Sequence, residues 1–304
     1  TQDVLLWQAG QAMENNVKLV LPSWTTILAR RVERATEQGR PIFLTGNLMG
    51  GGPVVWAMAR HLEAGYAVYA TSRAALTVHD DLDQVRQRGY TIVEQAPDVA
   101  DLLTLRARDV DLPALTDALA PFGVAVPQTV AVAVQDHGEC LEGSNRAFRF
   151  QLWRDFVTGG GRLIDLVYRR PPACYTRMLA VQRDAPGAAM MDTGPAALWG
   201  ILEDRRAAAH RDEGFILVNL GNQHTLGVLL QGDRILGLFE HHTGFIASGD
   251  GGSEKLARLV DRLRAGTLTN AQLFDDRGHG AYVSPDYASG AGFDFVAVTG
   301  PQRH

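Results

Sequence analysis

The stretch from Phe215 to Glu240 constrains this chain more than any other. Phe215-Ile216-Leu217-Val218-Asn219 is an apolar run of strand length, followed at once by Gly221. His224 to Leu230 reads as a second strand, Gln231-Gly232-Asp233 as a turn, and Arg234 to Glu240 as a third strand. The turn between the first two is Gly221-Asn222-Gln223-His224-Thr225. Glycine there lets backbone N–H groups approach an anion closely, and a hydroxyl with amide side chains can add hydrogen bonds. The same residues also suit an ordinary hairpin, with Asn and Gly supplying positive φ. Both readings stand on spacing alone.

A second copy of the pattern opens the chain. Thr1-Gln2-Asp3-Val4-Leu5-Leu6-Trp7 is an apolar run, Gly10 marks a turn, Val17 to Leu21 is a strand, and a helix follows from about Thr25 to Gln38. Near residue 225 the order is again hairpin, strand, helix; Leu256, Leu259, Val260 and Leu263 give the later helix its apolar stripe. A chain of 304 residues exceeds the size at which one core stops growing, so two domains are expected. Residues 1–145 read as a first half with an insertion at about 72–127, residues 146–190 as a connection, and residues 191–304 as a second half. Thr129 to Gln135 is the clearest buried strand of the first half and ends on Asp136-His137-Gly138. Because Thr1 stands directly in an apolar run, the sequence reads as a fragment or processed product with one strand missing before it.

Net charge is −5, with 21% charged residues, so no broad basic field points to nucleic acid. No apolar run approaches 18 residues, which leaves no membrane span in the pattern. Two cysteines, Cys140 and Cys174, are too few for a disulfide framework and fit a cytoplasmic protein.

With these residues in view, a resemblance emerges. Phe215–Thr225 is similar to the second phosphate motif of the actin, hexokinase and heat-shock chaperone ATPase superfamily, a strand followed by Asp-x-Gly-x-x-x-Thr. Thr1-Gln2-Asp3 resembles the tail of that superfamily's first phosphate motif, and Val298-Thr299-Gly300-Pro301 its adenosine motif. Asn219 stands where the superfamily has an acid. A narrower likeness carried by Lys18–Ser23, Met49-Gly50-Gly51-Gly52-Pro53, Ala133–Gly138, Gly221–Thr225 and Glu240-His241-His242-Thr243-Gly244 is to an uncharacterised prokaryotic family often labelled putative pyruvate formate-lyase activating enzyme. That label implies a Cys-x-x-x-Cys-x-x-Cys iron–sulfur motif, which this chain lacks.

The resemblance implies an α/β protein with duplicated actin-like, ribonuclease H-like domains facing a cleft. It implies an ATP-binding phosphotransferase or ATPase using Mg²⁺, with a nucleotide and a small-molecule substrate as partners. Thr1, Gln2, Asp3, Asn219, Gly221, Asn222, Gln223, His224 and Thr225 would hold phosphates, and Thr299 and Gly300 would border adenosine. Gly51 and Gly52 precede a helix N-terminus, a place that favours anions or simply links strand to helix. Asp136 would activate water or bind Mg²⁺, with His137 beside it; a turn-forming Asp is the alternative. His241, Thr243 and Gly244 complete the cofactor set, with one of His241 and His242 facing the cleft. A zinc site of His137, His241 and His242, an iron–sulfur cluster on Cys140 and Cys174, and a nucleophilic Thr1 are remoter alternatives. Asp192 before Thr193-Gly194 reads as a helix N-cap. A non-catalytic small-ligand binder of the same fold is the competing class, motivated by Asn219.

Overall fold

Apolar runs this dense call for strands covered on both faces, and the computed structural model, which describes residues 1–140, 143–247, 251–289 and 292–303, shows that arrangement. The chain forms two compact units that interleave in sequence. One contains Thr1–Ala131 and Arg170–Ala188; the other contains Val132–Arg169 and Ala189–His304. No helix among the described residues is long and apolar enough to cross a membrane.

In the first unit, β1 (Gln2–Leu6) and β2 (Val17–Leu21) form a separate antiparallel hairpin. The main sheet is built from β3 (Ile42–Gly46), β4 (Val68–Ala70), β5 (Thr91–Ile92) and β6 (Leu103–Ala107), in the order β5-β4-β3-β6. Every pairing in it is parallel. The stretch 72–127, which the sequence pattern suggests is an insertion, therefore supplies two of these four strands. Helix Trp24–Glu37 buries Leu28, Ala29, Val32 and Ala35, and helix Pro53–Glu63 buries Val54, Ala57 and Met58, all in one core with Ile42, Leu44 and Leu105.

In the second unit, β7 (Ala131–Ala133) and β8 (Ala189–Met191) form a small two-stranded sheet. The strand expected to be buried over Thr129–Gln135 is thus shorter and largely exposed; only Val134, just past it, is buried. The main sheet holds β9 (Phe215–Leu220), β10 (His224–Gln231), β11 (Arg234–His242), β12 (Gly280–Val283) and β13 (Val296–Thr299), in the order β12-β11-β10-β9-β13. β9, β10, β11 and β12 pair antiparallel, whereas β13 runs parallel to β9. The hairpins therefore match between the units but the main sheets do not, and the expected duplication is not repeated in the sheet topology of the described residues.

Alternation along β10 decides which side chains meet. Leu226, Val228 and Leu230 enter one core, with Phe150, Trp153 and Leu217; Leu229 enters the opposite one, with Ile216, Val218 and Phe239. A bulge re-phases β11: Leu229 pairs with Gly237 but Leu230 pairs with Ile235, leaving Leu236 extra. Past the bulge, Leu238 returns to the Phe150 side, so Glu240 and His242 follow on that side as well. His224 pairs directly with His242 across the ladder, and Leu226 with Glu240. The bulge thus turns Glu240 and His242 toward helix Asn145–Thr158, which buries Arg149, Phe150, Trp153 and Val157.

Candidate metal centre

One end of the second unit's sheet collects the unusual residues. The ends of β9, β11 and β13 and the starts of β10 and β12 all lie there, as their pairing registers require. His224 opens β10, His242 closes β11, and His279 immediately precedes β12. One ligand atom from each of these three rings lies within 4.8 Å of the others. Ring centroids are 5.2 Å apart for His224–His242, 4.6 Å for His224–His279 and 4.7 Å for His242–His279. His137 joins as a fourth imidazole, edge-on to His224 at 5.1 Å and stacked on His279 at 5.9 Å.

Three of these rings are positioned from behind. Gln135 Nε2 contacts His224 Nδ1, which leaves Nε2 as that ring's free nitrogen. The His279 amide donates to the Glu240 carbonyl at 2.9 Å, and Arg146 Nη1 donates to the Gly278 carbonyl at 2.9 Å. His137 sits on a fixed turn: Gly138 N donates to Asp136 Oδ1 at 3.0 Å, and Asp136 N to Asp192 Oδ2 at 3.0 Å. Gly138 has φ +76°, and a Cβ there would lie 2.8 Å from the Phe148 ring, so only glycine fits this turn.

Beneath the rings lies a buried ionic network. Arg149 forks onto Glu240, Nε to Oε2 at 2.7 Å and Nη2 to Oε1 at 2.7 Å. Its Nη1 donates to Asp192 Oδ2 at 3.2 Å and to the Asp136 carbonyl at 2.9 Å. Asp192 also caps helix Thr193–Leu202, as its place in the sequence suggests, accepting from Gly194 N at 2.9 Å. Asp136, Asp192, Arg149 and Glu240 are all buried, and the carboxyl groups of Asp192 and Glu240 share one guanidinium. Burial alone would raise the Glu240 carboxyl, but Arg149 outweighs it and holds it at about 2. Burial depresses the imidazoles: His224 and His137 fall to about 4, and His279 to about 3. His242 is lowered too, by burial and then by His241. Neutral rings keep a lone pair for a ligand.

His279 decides what the cluster is for. It is 3% exposed, and neither of its ring nitrogens has a hydrogen-bond partner among the described residues. The nearest Glu240 oxygen is 3.8 Å from Nδ1, too far for a hydrogen bond but suitably placed to orient the ring.

The other sequence candidates fall as follows. His241 faces away from the cluster, with Nε2 3.2 Å from Asp276 Oδ2 and Nδ1 3.1 Å from the His242 carbonyl. Of the three histidines suggested for zinc, His242 is in the triad, His137 is adjacent, and His241 is excluded by the pleat. Asp136 is buried, its Oδ1 accepts from Gly138 N, and it is not one of the three clustered groups. Thr225 is wholly buried, and its hydroxyl meets that of Thr243 at 3.1 Å. Thr243 Oγ1 donates to the Gly221 carbonyl at 2.7 Å, its amide to Gln223 O at 2.8 Å, and Gly221 N donates to His224 O at 3.0 Å. This is the hydrogen bonding of a closed hairpin. Gly244, in the short helix after β11, is exposed. Thr299 pairs with Asn219, and a Cβ on Gly300 would meet Leu220 O at 2.4 Å, which explains the glycine. Asn222 Oδ1 accepts from Gln302 Nε2 at 3.0 Å.

Thr1, Gln2, Asp3, Gly51 and Gly52 belong to the first unit. Thr1 Oγ1 donates to Asp3 Oδ2 at 3.3 Å and Gln2 Nε2 to Pro22 O at 2.9 Å, both on the hairpin. Gly51 and Gly52 lie in the loop from β3 to helix Pro53–Glu63, where Thr25 Oγ1 bonds the Gly51 carbonyl.

A family model described as "Putative pyruvate format-lyase activating enzyme (DUF1786)" matches residues 49–304. The chain belongs to this family. No curated protein and no solved structure matches significantly. His137, Arg149, Asp192, Glu240, His242 and His279 all lie inside the matched span, so the whole cluster is part of the family's region of the chain. The sequence motifs do not single out Arg149 or His279. Arg149 stands within the apolar stripe Phe150, Trp153, Val157, where a charge signals a buried partner. His279 carries only its flanking glycines, Gly278 and Gly280, as a local signal.

Proposed function

We propose that the protein is a metal-dependent enzyme whose second unit holds a divalent transition-metal ion on His224, His242 and His279. The observation that carries this reading is His279, a buried imidazole with two unpartnered nitrogens facing two more neutral imidazoles. A buried polar atom left without a partner costs about 1–3 kcal/mol. A cation at the centre removes that cost. It also offsets the excess of carboxyl groups over the single guanidinium of Arg149. Imidazole nitrogens suit Zn²⁺ and its neighbours, whereas Mg²⁺ favours oxygen ligands. Zinc at about 2.05 Å from each nitrogen would set the nitrogens about 3.3 Å apart, so binding draws the rings together slightly.

Three protein ligands leave a coordination position open, the pattern of catalytic rather than structural zinc. An ion in such a position supplies a polarised water or a Lewis acid. Gln135 fixes the His224 tautomer, Arg149 fixes Glu240, and the Asp136–Gly138 turn holds His137 next to the triad without making it one of the three. His137 is therefore the group placed to contact a bound substrate. The test is metal content. Protein purified without chelator should carry about one equivalent of a zinc-class ion, and His279→Ala should carry far less. Equal metal in the two proteins would end this reading.

A nucleotide reading is second. The order β11-β10-β9-β13, three antiparallel strands and then a parallel one, is the order of a ribonuclease H-like half and supports it. Asn219, Asn222, Thr299 and Gly300 meet at the same end. On this reading the protein is an ATP-binding phosphotransferase or ATPase, or a nucleotide binder without turnover, with Mg²⁺ brought by the nucleotide. Thermal shift with Mg²⁺–ATP tests it; no shift counts against it.

A further inference from the structure

Another feature lies in the first unit and owes nothing to the histidines. Helix Trp24–Glu37 buries Leu28, Val32 and Ala35, which places Arg31, Arg34 and Gln38 on one neighbouring stripe. That stripe borders β6, the edge strand of the parallel sheet. Between them is a groove of about 370 Å³ with Arg31, Arg34, Gln38 and Arg40 at its rim and Leu103 and Leu105 as its floor. No acidic side chain among the described residues lines it. Arg40 is fixed there by its Nε donating to the Asp101 carbonyl at 3.1 Å. The side chains of Arg31 and Arg34 have no hydrogen bond or ion pair among the described residues, while the intervening Glu33 is taken by Arg60 at 2.7 Å.

We propose that this groove binds a compact phosphate-bearing anion. Three guanidinium groups around one groove repel one another, and in a chain of net charge −5 no internal carboxylate has been placed to relieve them. Arginine forks match phosphate oxygens in bidentate fashion, and two of the three forks are free. The edge strand adds direction. Leu103 N donates to Pro41 O, so Leu103 faces β3, and the next residue, exposed Thr104, turns its backbone N–H to the open side. The floor of Leu103, Leu105 and Ala35 is apolar and suits the carbon part of a phosphate ester. The volume lies near the small end of ligand sites, about 300–1,000 Å³, which favours a small molecule over a polymer.

Inorganic pyrophosphate titrated calorimetrically into the full chain, in buffer without added metal, tests the site. Saturable one-to-one binding is expected, weakened at least about tenfold in Arg31→Gln/Arg34→Gln because two charge-assisted contacts are lost. His279→Ala should bind as the parent does. Three results would overturn the proposal: no saturable binding, equal binding by the double variant, or loss of binding in His279→Ala, which would mean chelation at the metal centre. Binding of an oligoglutamate peptide but not of pyrophosphate would also overturn it, in favour of strand addition at β6. The two exposed arginines touch no core, so circular dichroism of the double variant should match the parent and separate lost binding from lost fold.

Discussion

The first unit's loop after β3 and the second unit's strand ends around β10 are similar in sequence, both rich in Gly and Asn after an apolar strand. In structure they are opposites. The β3 loop closes on itself: Asn47 N donates to Ala107 O at 2.9 Å, Met49 N to Thr77 Oγ1 at 3.2 Å, Gly50 N to Asp109 Oδ1 at 3.2 Å and Val54 N to Thr25 Oγ1 at 3.2 Å. Asp109 stands where an anion would sit, and Arg177 forks onto it at 2.8 Å through both Nε and Nη2. The second unit instead leaves His279 unpaired in the interior. Loop amides answered by neighbouring side chains and carbonyls mark a structural loop, and a buried imidazole left unanswered marks a ligand site.

The sharpest way to break this contrast is Arg149→Met. It strands Glu240 and Asp192 in the interior, and removing one partner of a buried pair costs about 3–5 kcal/mol. Urea unfolding should show a loss of that size, together with weaker metal retention, because Glu240 and the His137 turn lose their anchor. A variant as stable as the parent would mean the network does not hold the cluster.

Acidification should weaken the histidine cluster next. Unfolded histidine takes a proton near 6.5, but His224 and His137 resist until about 4 and His279 until about 3. As pH falls below 6.5 the unfolded state therefore binds more protons, and stability declines through pH 4. Glu240, held at about 2, adds a further loss from its ordinary 4.5 downward. Melting temperatures of metal-free protein should fall steadily from pH 7 to 4, and His279→Ala should flatten that slope. A flat profile in the parent would contradict the burial of neutral rings.

Asp109→Ala probes the other side of the comparison. It removes the acceptor of the Gly50 amide and the bidentate Asp109 partner of the half-buried Arg177, a cost of about 1–3 kcal/mol. Metal content should not change. If metal were lost, the β3 loop would be part of the centre rather than a closed turn.

How far the sequence spoke depended on range. The three central strands were legible because each is buried on both faces and so is apolar throughout. The pleat also warned that His241 and His242 point apart, though not which one joins the site; that depends on the bulge at Leu236, which leaves no local mark. His279 comes to His224 from 55 positions away (279 minus 224), through pairing of β12 with β11 rather than through any motif. The parallel sheet of the first unit was hidden for a similar reason. β3, β4 and β5 fall within runs that the pattern marks as strands, Pro41–Gly46, Tyr66–Thr71 and near Tyr90–Val93, but their parallel pairing joins segments far apart in the chain and leaves no local mark. Asp192 reads as a cap residue and is one, whereas Asp136 reads first as a water-activating or Mg²⁺ residue and only alternatively as a turn former; that both also meet Arg149 appears only in the structure.

The smallest expected effect separates the two functional readings at the residue where they disagree most. Thr225 would touch phosphate if the hairpin were a phosphate motif, but here its hydroxyl is buried against Thr243. Thr225→Val keeps the shape and removes one neutral hydrogen bond, worth about 0.5–1.5 kcal/mol. On the metal reading, that modest loss of stability is the whole phenotype, and metal content and any nucleotide-induced thermal shift are unchanged. On the phosphate reading, the shift with Mg²⁺–ATP should vanish while metal content stays. Loss of the shift would reopen the hairpin as a nucleotide site, because a methyl for a hydroxyl at a fully buried position has no other route to a ligand.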